Sequence, residues 1–590
     1  MGLGEPAAIL RDQKNVDPIL AMDTNDRRYS PERLVVVMSL VAVLSLIIAG
    51  RLVQMQFFQH SMYVRLALEE GTKSKPMPPT RGVICDSRMG QLAASVVVDT
   101  VVAEPRRIKD LPAAAHRLAA ILDIDATELL SQMTAPANWK YLVVKERVDP
   151  HASSEIDGLE IAGIYLIHES MRVYPDQDLA GHTLGLVNRQ GEGVVGLELE
   201  YNGELKGTPG TITFSVDAYG RPIQVKSDIP PVSGHTLVLS IDRSLQCLAA
   251  KELLRGLEDS RASAGTAIIM ESETGRILAI ANYSRFNSSG RSEYQADPWW
   301  NRAIQDVIEP GSTFKVVVVA AALEARLARP DELIDCHMGS MLIGKRVIHD
   351  HKPYGLLTLA QVLEYSSNIG AAELGMRLGK ELLCEAVCKF GFGSQTGIDL
   401  PAERAGRVRD IKNWSDFSVA SISFGQEIGV TSMQIITAIN AIANGGYRVR
   451  PSIVDRVIGE RGQIIRARAP ELVPILRPET AAQIRDALEG VVLRGTGRLA
   501  ALEGYRAAGK TGTAQKAVGG HISKTKYLAS FVGFAPLPRP RVTILVQIDE
   551  PQSDIYGGDV AAPVFQRIAQ ETLIQLHVPA DKDLSLSNHG

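Results

Sequence analysis

Cysteine is scarce in this chain: five among 590 residues (Cys85, Cys247, Cys336, Cys384 and Cys388), odd in number and scattered. That excludes a disulfide framework. Cys384 and Cys388 stand four apart, but no second Cys or His pair accompanies them at zinc-ligand spacing, so the thiols read as buried and free. An excess of one charge is also lacking. The net charge is −4 and no run of five like charges occurs, which excludes an electrostatic nucleic-acid binder. No fixed-period repeat is present, which excludes a solenoid. His349-Asp350-His351 offers too few ligands for a metal and precedes a Pro-Tyr-Gly turn. No metal or cofactor is expected. Long uncharged apolar runs are confined to one place near the N-terminus.

What remains is an ordinary globular composition, 45% apolar and 22% charged, on a chain long enough for two to four domains. Residues 1–33 are polar and aperiodic and read as a cytoplasmic tail. Residues 34–50, LVVVMSLVAVLSLIIAG, carry no charge and are closed by Arg33 and Arg51. They are just long enough for a transmembrane anchor. A cleaved signal peptide competes with that reading, but a cut after Ala49 places Ile47 where a small residue is wanted. Arg27, Arg28 and Arg33 before the span, against Arg51 and Arg65 after it, put the N-terminus in the cytoplasm by a modest bias.

Residues 51–231 mix short β-like runs, a helix near Ala126–Met133 and many glycines, with no nucleophile–base pair; they read as a non-catalytic pedestal domain. Residues 232–579 open with the strand-like TLVLSID and a helix from Arg243. A hairpin signal follows at Glu273-Thr274-Gly275, then a helical block, then the strand-like SFVGFAP and VTILVQID and a closing helix from Ala561. Strands at both ends of this segment imply one sheet assembled from both, with a helical subdomain inserted. Residues 580–590 form a polar tail.

Chemistry gathers in three short stretches. In Glu309-Pro310-Gly311-Ser312-Thr313-Phe314-Lys315, a Pro-Gly break precedes an apolar run to Leu323, the pattern of a buried helix starting at a hydroxyl. Ser312 and Lys315 are three apart and can touch. Burial disfavours the charged amine, which makes Lys315 a base beside a hydroxyl that needs one. Alone, this short pattern more often marks a capping Ser and a snorkelling Lys. Ser366-Ser367-Asn368 follows an amphipathic helix, where a capping role is the default. Lys510-Thr511-Gly512-Thr513 places alternating hydroxyls and a glycine on a strand that a ligand approaches. In the order S-x-x-K, S-x-N, K-T-G, the three form the signature of penicillin-binding proteins and serine β-lactamases.

With these motifs the chain resembles the class B penicillin-binding proteins, peptidoglycan D,D-transpeptidases. The resemblance includes RGVICD (Arg81–Asp86), Arg172-Val173-Tyr174-Pro175, Gly196-Leu197-Glu198, Tyr201, Ser423-Phe424-Gly425-Gln426 and Gly495-Thr496-Gly497. Tyr556 to Phe565 is most similar to the cell-division, FtsI-like branch. Two departures stand out: Asp86-Ser87-Arg88-Met89-Gly90 displaces the family's turn glycine by one, and Ile308 replaces a usual Tyr.

The resemblance implies an α+β fold. A single transmembrane helix precedes an elongated α/β pedestal of the dimerisation type. The transpeptidase domain then carries a central antiparallel sheet flanked by helices, with a helical subdomain, as in serine β-lactamases. It implies Ser312 as nucleophile, Lys315 as base, Ser366 as proton relay and Asn368 as orienting group. Lys510, Thr511, Gly512 and Thr513 would bind substrate, Gly512 by leaving room for it, with the backbone N–H groups of Ser312 and Thr513 as oxyanion hole. The implied partners are peptidoglycan stem peptides, β-lactams, a SEDS-family glycan polymerase and other division proteins, at the inner membrane of the septum. An elongation-type transpeptidase, a D,D-carboxypeptidase or β-lactamase-like hydrolase, and a non-catalytic scaffold or sensor are the alternatives.

Overall fold

The computed structural model describes residues 31–581 apart from 71, 177–178, 217–221, 289–290, 296–298 and 519–520. Residues 1–30 of the expected N-terminal tail and 582–590 of the C-terminal tail lie outside them. One compact unit comprises the N-terminal residues to Lys75 together with Thr211–Asp228. Its helix α1 (Pro31–Val53) passes into a π-turn at Gln54–Phe58 and then a helix, His60–Glu70. The helix is longer than residues 34–50: Glu32–Phe58 is one helical run of 27 residues, within which an 18-residue window has mean hydropathy 2.5 and is 0% buried. At about 1.5 Å per residue it exceeds the roughly 30 Å of a bilayer's hydrocarbon core. A small sheet follows, with Gly210–Val216 between Thr72–Met77 and Pro222–Ile229.

The other unit holds residues 76–210 and 229–590. Strands β1 (Ile84–Cys85), β2 (Gln91–Ala103), β3 (Leu142–Val148), β4 (Ile164–Val173) and β5 (Thr236–Leu239) belong to one sheet, in which β2 pairs with both β3 and β4. The strand of TLVLSID, β5, runs parallel to β1 and antiparallel to Val454–Ile458. This sheet thus runs across residue 231 and draws strands from both sides of it. Arg81 and Arg172 meet there on one carboxylate. Arg81 Nε lies 2.6 Å from Glu198 Oε2 and Arg172 Nε 2.7 Å from Glu198 Oε1, and the Glu198 side chain is fully buried. Arg81 also donates to Gly191 O and Asn202 Oδ1, and Arg172 to Gly82 O. The displaced turn closes without its glycine: Asp86 Oδ1 accepts the N–H groups of Arg88 and Gly90, while Met89 takes φ +69°.

Helix α2 (Arg243–Ser260) is capped by Asp242 and leads into β6 (Ala264–Glu271), β7 (Ile277–Ser288) and β8 (Arg291–Gln295). They join β9 (Ala508–Val518), β10 (His521–Ala535) and β11 (Val542–Asp549) in an antiparallel sheet of order β8-β7-β6-β11-β10-β9. Both faces are covered, and β6 and β11 are buried almost throughout. Ile269, Ile544 and Val546 pack with α2 and the C-terminal helix Ala562–Gln575; Ile268, Met270 and Leu545 join the core of the helical block on the other face. That block contains α3 (Lys315–Glu324), α4 (Leu359–Glu364), α5 (Asn368–Lys389) and α6 (Ser432–Ala443). Every residue of α3 from Lys315 to Leu323 is buried.

All five cysteines are free, but they are not all buried. Cys85 and Cys336 are buried, Cys384 is half-buried, and Cys247 and Cys388 are exposed. The last two lie outside the faces that α2 and α5 bury.

Candidate active site

The Pro310-Gly311 break produces a short 3-10 turn, Gly311–Phe314, before α3 begins at Lys315. Gly311 takes φ +55°, a conformation that favours glycine. The turn is fastened from behind. Ile308 and Val430 exchange backbone hydrogen bonds of 2.9 and 2.8 Å, and Gly311 N–H donates to Gly425 O at 3.1 Å. A Cβ on Gly425 would sit 2.1 Å from Gly311 O, so the glycine of Ser423-Phe424-Gly425 is what allows this loop to lie against the turn. Thr313 Oγ1 donates to Pro310 O at 2.8 Å, and Glu309 Oε1 accepts the Glu427 N–H at 3.0 Å.

Ser312 is half-buried on this turn. Lys315 does not hydrogen-bond to it, despite the spacing of three, because the amine reaches across to the next motif. Lys315 Nζ donates to Ser366 O at 2.5 Å, Ser366 Oγ at 3.2 Å and Asn368 Oδ1 at 2.7 Å. Lys510 Nζ arrives from β9 and donates to the same Ser366 Oγ at 3.0 Å, and to Thr511 O at 3.2 Å. Two wholly buried amines therefore share one hydroxyl. Burial pulls the Lys315 pKa down to about 7, against the opposing pull of Asp350 and Cys336. Burial also holds Lys510 well below the usual lysine range, and the Lys315 charge pushes it further the same way. Ser366 sits at φ +60°, a left-handed strain of the kind held at functional sites by their surroundings.

Those surroundings include a residue the sequence reading passed over. In Ser366-Ser367-Asn368 it is the middle Ser367 that caps α5, its Oγ accepting the Gly370 N–H at 2.9 Å. Ser367 Oγ in turn donates to Asp350 Oδ2 at 2.6 Å. Asp350 Oδ1 accepts the N–H groups of Asn368 and Ile369, placing a carboxylate at the positive end of α5. Asn368 Nδ2 donates to His349 O at 2.9 Å, which leaves Oδ1 aimed at Lys315. The His-Asp-His stretch therefore orients the second motif. Its nearest sequence signal is the carboxylate flanked by two histidines, which reads only as a metal site with too few ligands.

Strand β9 is the edge of the central sheet, with Lys510 paired to Val532 and Thr513 to Ala529. Thr511 Oγ1 lies 2.7 Å from Thr496 Oγ1, and Thr513 Oγ1 accepts the Gly557 N–H at 3.2 Å. Thr496 and Gly557 are thus further supports of the site, each brought in by a contact remote in sequence. Gly512 is also required by packing within the protein. A Cβ there would meet Ser530 Oγ at 2.3 Å, Thr313 Cγ2 at 3.0 Å and Pro310 O at 3.3 Å. The glycine lets the nucleophile turn pack on β9. Among the described residues no cluster of three or more His, Cys, Asp or Glu could hold a metal ion.

Comparison with known proteins agrees with this geometry. Residues 265–570 match the penicillin binding protein transpeptidase domain, and residues 76–239 the penicillin-binding protein dimerisation domain. Stage V sporulation protein D of Bacillus subtilis is 33% identical over 94% of this chain and 87% of its own length. Peptidoglycan D,D-transpeptidase FtsI of Escherichia coli is 32% identical over 90% of both chains. Penicillin binding protein 3 of Mycobacterium tuberculosis, solved in complex with aztreonam, superposes with a TM-score of 0.66 at 27% identity, covering 86% of this chain and 99% of that one. With a pedestal and a transpeptidase domain matched in sequence and fold, the chain belongs to the class B penicillin-binding proteins, of FtsI-like type.

Proposed function

We propose that the chain is a membrane-anchored peptidoglycan D,D-transpeptidase that cross-links stem peptides during septal wall synthesis. The observation that carries this reading is the convergence of Lys315 and Lys510 on Ser366 Oγ beside the Ser312 turn. Ser312 Oγ attacks the carbonyl of a D-alanyl-D-alanine stem peptide and gives its proton to neutral Lys315, directly or through a bridging group. Ser366 passes a proton to the departing D-alanine nitrogen as the peptide bond breaks. The acyl group then rests on Ser312 as an ester. An amine of a second stem peptide attacks that ester, a new amide forms, and the Ser312 oxygen recovers its proton. Asn368 orients Lys315 and the substrate amide. Lys510, Thr511 and Thr513 bind the terminal carboxylate, whose charge favours protonation of Lys510 while Lys315 remains neutral. The backbone N–H groups of Ser312 and Thr513 receive the oxyanion.

The relatives named D,D-transpeptidase and the aztreonam complex of a structural neighbour support both the reaction and β-lactam acylation of Ser312. The Glu32–Phe58 helix acts as a single anchor with the N-terminus in the cytoplasm and Ser312 outside, at the division septum, where a SEDS-family glycan polymerase and other division proteins are partners. Labelled penicillin tests the reaction: the wild type is tagged and retains the label for many minutes, and Ser312→Ala is not tagged. Rapid penicillin turnover by the wild type would replace this reading with a hydrolase. Depletion tests the place, with filaments expected and rounded cells contradicting a septal role.

A further inference from the structure

Beside the nucleophile turn lies a cleft of about 930 Å³. None of Ser312, Lys315, Ser366, Asn368 or Lys510 lines it. It adjoins the site through Glu309, just before the turn, and through Ala514, Gln515 and Lys516, which carry β9 on past Thr513. Most of its charges are already neutralised. Arg302 pairs with Asp306 at 2.9 Å and Asp549 at 2.7 Å, Lys516 pairs with Asp549 at 2.7 Å and Glu550 at 2.8 Å, and Glu427 pairs with Arg409.

Arg404 and Arg407 differ from these: among the described residues neither guanidinium has an ion-pair partner within 4.0 Å. The Arg404 side chain and the Arg407 backbone are held in place. The Arg404 guanidinium lies 5.4 Å over the Trp300 ring, and its backbone N–H donates to Ile304 O at 3.0 Å. The Arg407 backbone exchanges hydrogen bonds of 2.7 and 2.9 Å with Gly429. Glu309 is the carboxylate of the cleft nearest in role to a partner, but it is turned to the Glu427 N–H. Burial raises its pKa, and Arg407 only partly offsets this. Two guanidiniums with no ion-pair partner among the described residues thus remain exposed at this cleft. Their planar donors match a carboxylate.

We propose that Arg404 and Arg407 form a carboxylate-reading subsite for the part of the donor stem peptide that precedes its D-alanyl-D-alanine end. This rests on the function proposed above. A substrate with its terminal carboxylate at Lys510–Thr513 and its scissile carbonyl at Ser312 runs back along β9 toward Lys516, and so into the cleft. The subsite makes an anionic donor peptide the preferred substrate over one in which that acid is amidated.

Competition against penicillin labelling tests it in the full-length protein. Two synthetic peptides ending in D-alanyl-D-alanine are compared, identical except that the preceding residue bears a carboxylate in one and a carboxamide in the other. In the wild type the carboxylate peptide halves the labelling of Ser312 at about tenfold lower concentration, the worth of one charge-assisted hydrogen bond. In the R404Q/R407Q double variant the two peptides differ by less than about twofold. Should that variant not fold, R404Q and R407Q are read singly, each expected to lose at least about a threefold share of the preference. No preference in the wild type, or a preference intact in the variants, overturns the subsite while leaving the transpeptidase reading in place. A wild type that penicillin does not label at Ser312 overturns both.

Discussion

Arg81, Arg172 and Glu198 make one buried ionic cluster, and Lys315, Lys510 and the Ser366 hydroxyl make another. In the first, each oxygen of a fully buried carboxylate receives a guanidinium nitrogen at 2.6 or 2.7 Å; Arg81 also donates to Asn202 and Arg172 to Gly82 O, while Arg172 Nη2 has no hydrogen-bond partner. Opposite charges face one another there, and the cluster is structural. In the second, two amines of like sign are buried together and meet only neutral acceptors directly. Burial there opposes ionisation, and the result is a neutral amine available near pH 7. The same chain thus uses desolvated charge as cement in one place and as reactivity in another. What separates them is the sign of the nearest partner.

Substitutions can break that contrast. Lys315→Met should lower the rate of penicillin acylation by on the order of 10²–10⁴ while the protein stays folded by circular dichroism, because the amine is a reactive group and not a structural one. Glu198→Gln should do the reverse. Leaving two buried guanidiniums uncompensated costs about 3–5 kcal/mol of stability in urea unfolding, while the acylation rate of folded molecules is unchanged. Gly512→Ala sits between the two, with an expected loss of about 1–3 kcal/mol from overpacking against Ser530 and Thr313. Adding Ser530→Ala should restore much of it. If the double change remains as poor as Gly512→Ala alone, crowding against Ser530 is not the reason for the glycine.

How far this was legible in the sequence depends on contact range. One sheet built from both ends of the domain was readable from strand-like runs and turn signals, since β6, β7, β10 and β11 carry local patterns, whereas the α+β class and the antiparallel course came with the family resemblance. Ser312, Lys315, Ser366, Asn368, Lys510 and Thr511 stood out as a set because their motifs are short and occur in a recognisable order. Asp350, Thr496, Gly425 and Gly557 did not, because each acts through a partner distant along the chain: Gly425 against Gly311, Gly557 against Gly512 and Ser530. No local rule shows that Lys315 turns from Ser312 toward Ser366, since that depends on where α5 begins. The membership of β5 in a sheet with β1 was hidden for the same reason. A four-residue strand carries no mark of its partner.

The central claim is that Lys315 is a buried amine poised near neutrality by burial, with Asp350 opposing that shift. It is tested most directly by the pH dependence of Ser312 acylation by labelled penicillin, in the wild type and in Asp350→Asn. Asp350 and Cys336 are the titratable groups that raise the Lys315 pKa, and Lys315 in turn lowers that of Lys510. The anionic Asp350 raises its pKa, so neutralising Asp350 lowers it and enlarges the neutral fraction at any given pH. The account predicts a wild-type rate that rises with pH through one ionisation near 7 and then levels, and a profile displaced to lower pH in Asp350→Asn. A rate that is flat between about pH 5.5 and 8.5, or an inflection that Asp350→Asn moves upward, would contradict it.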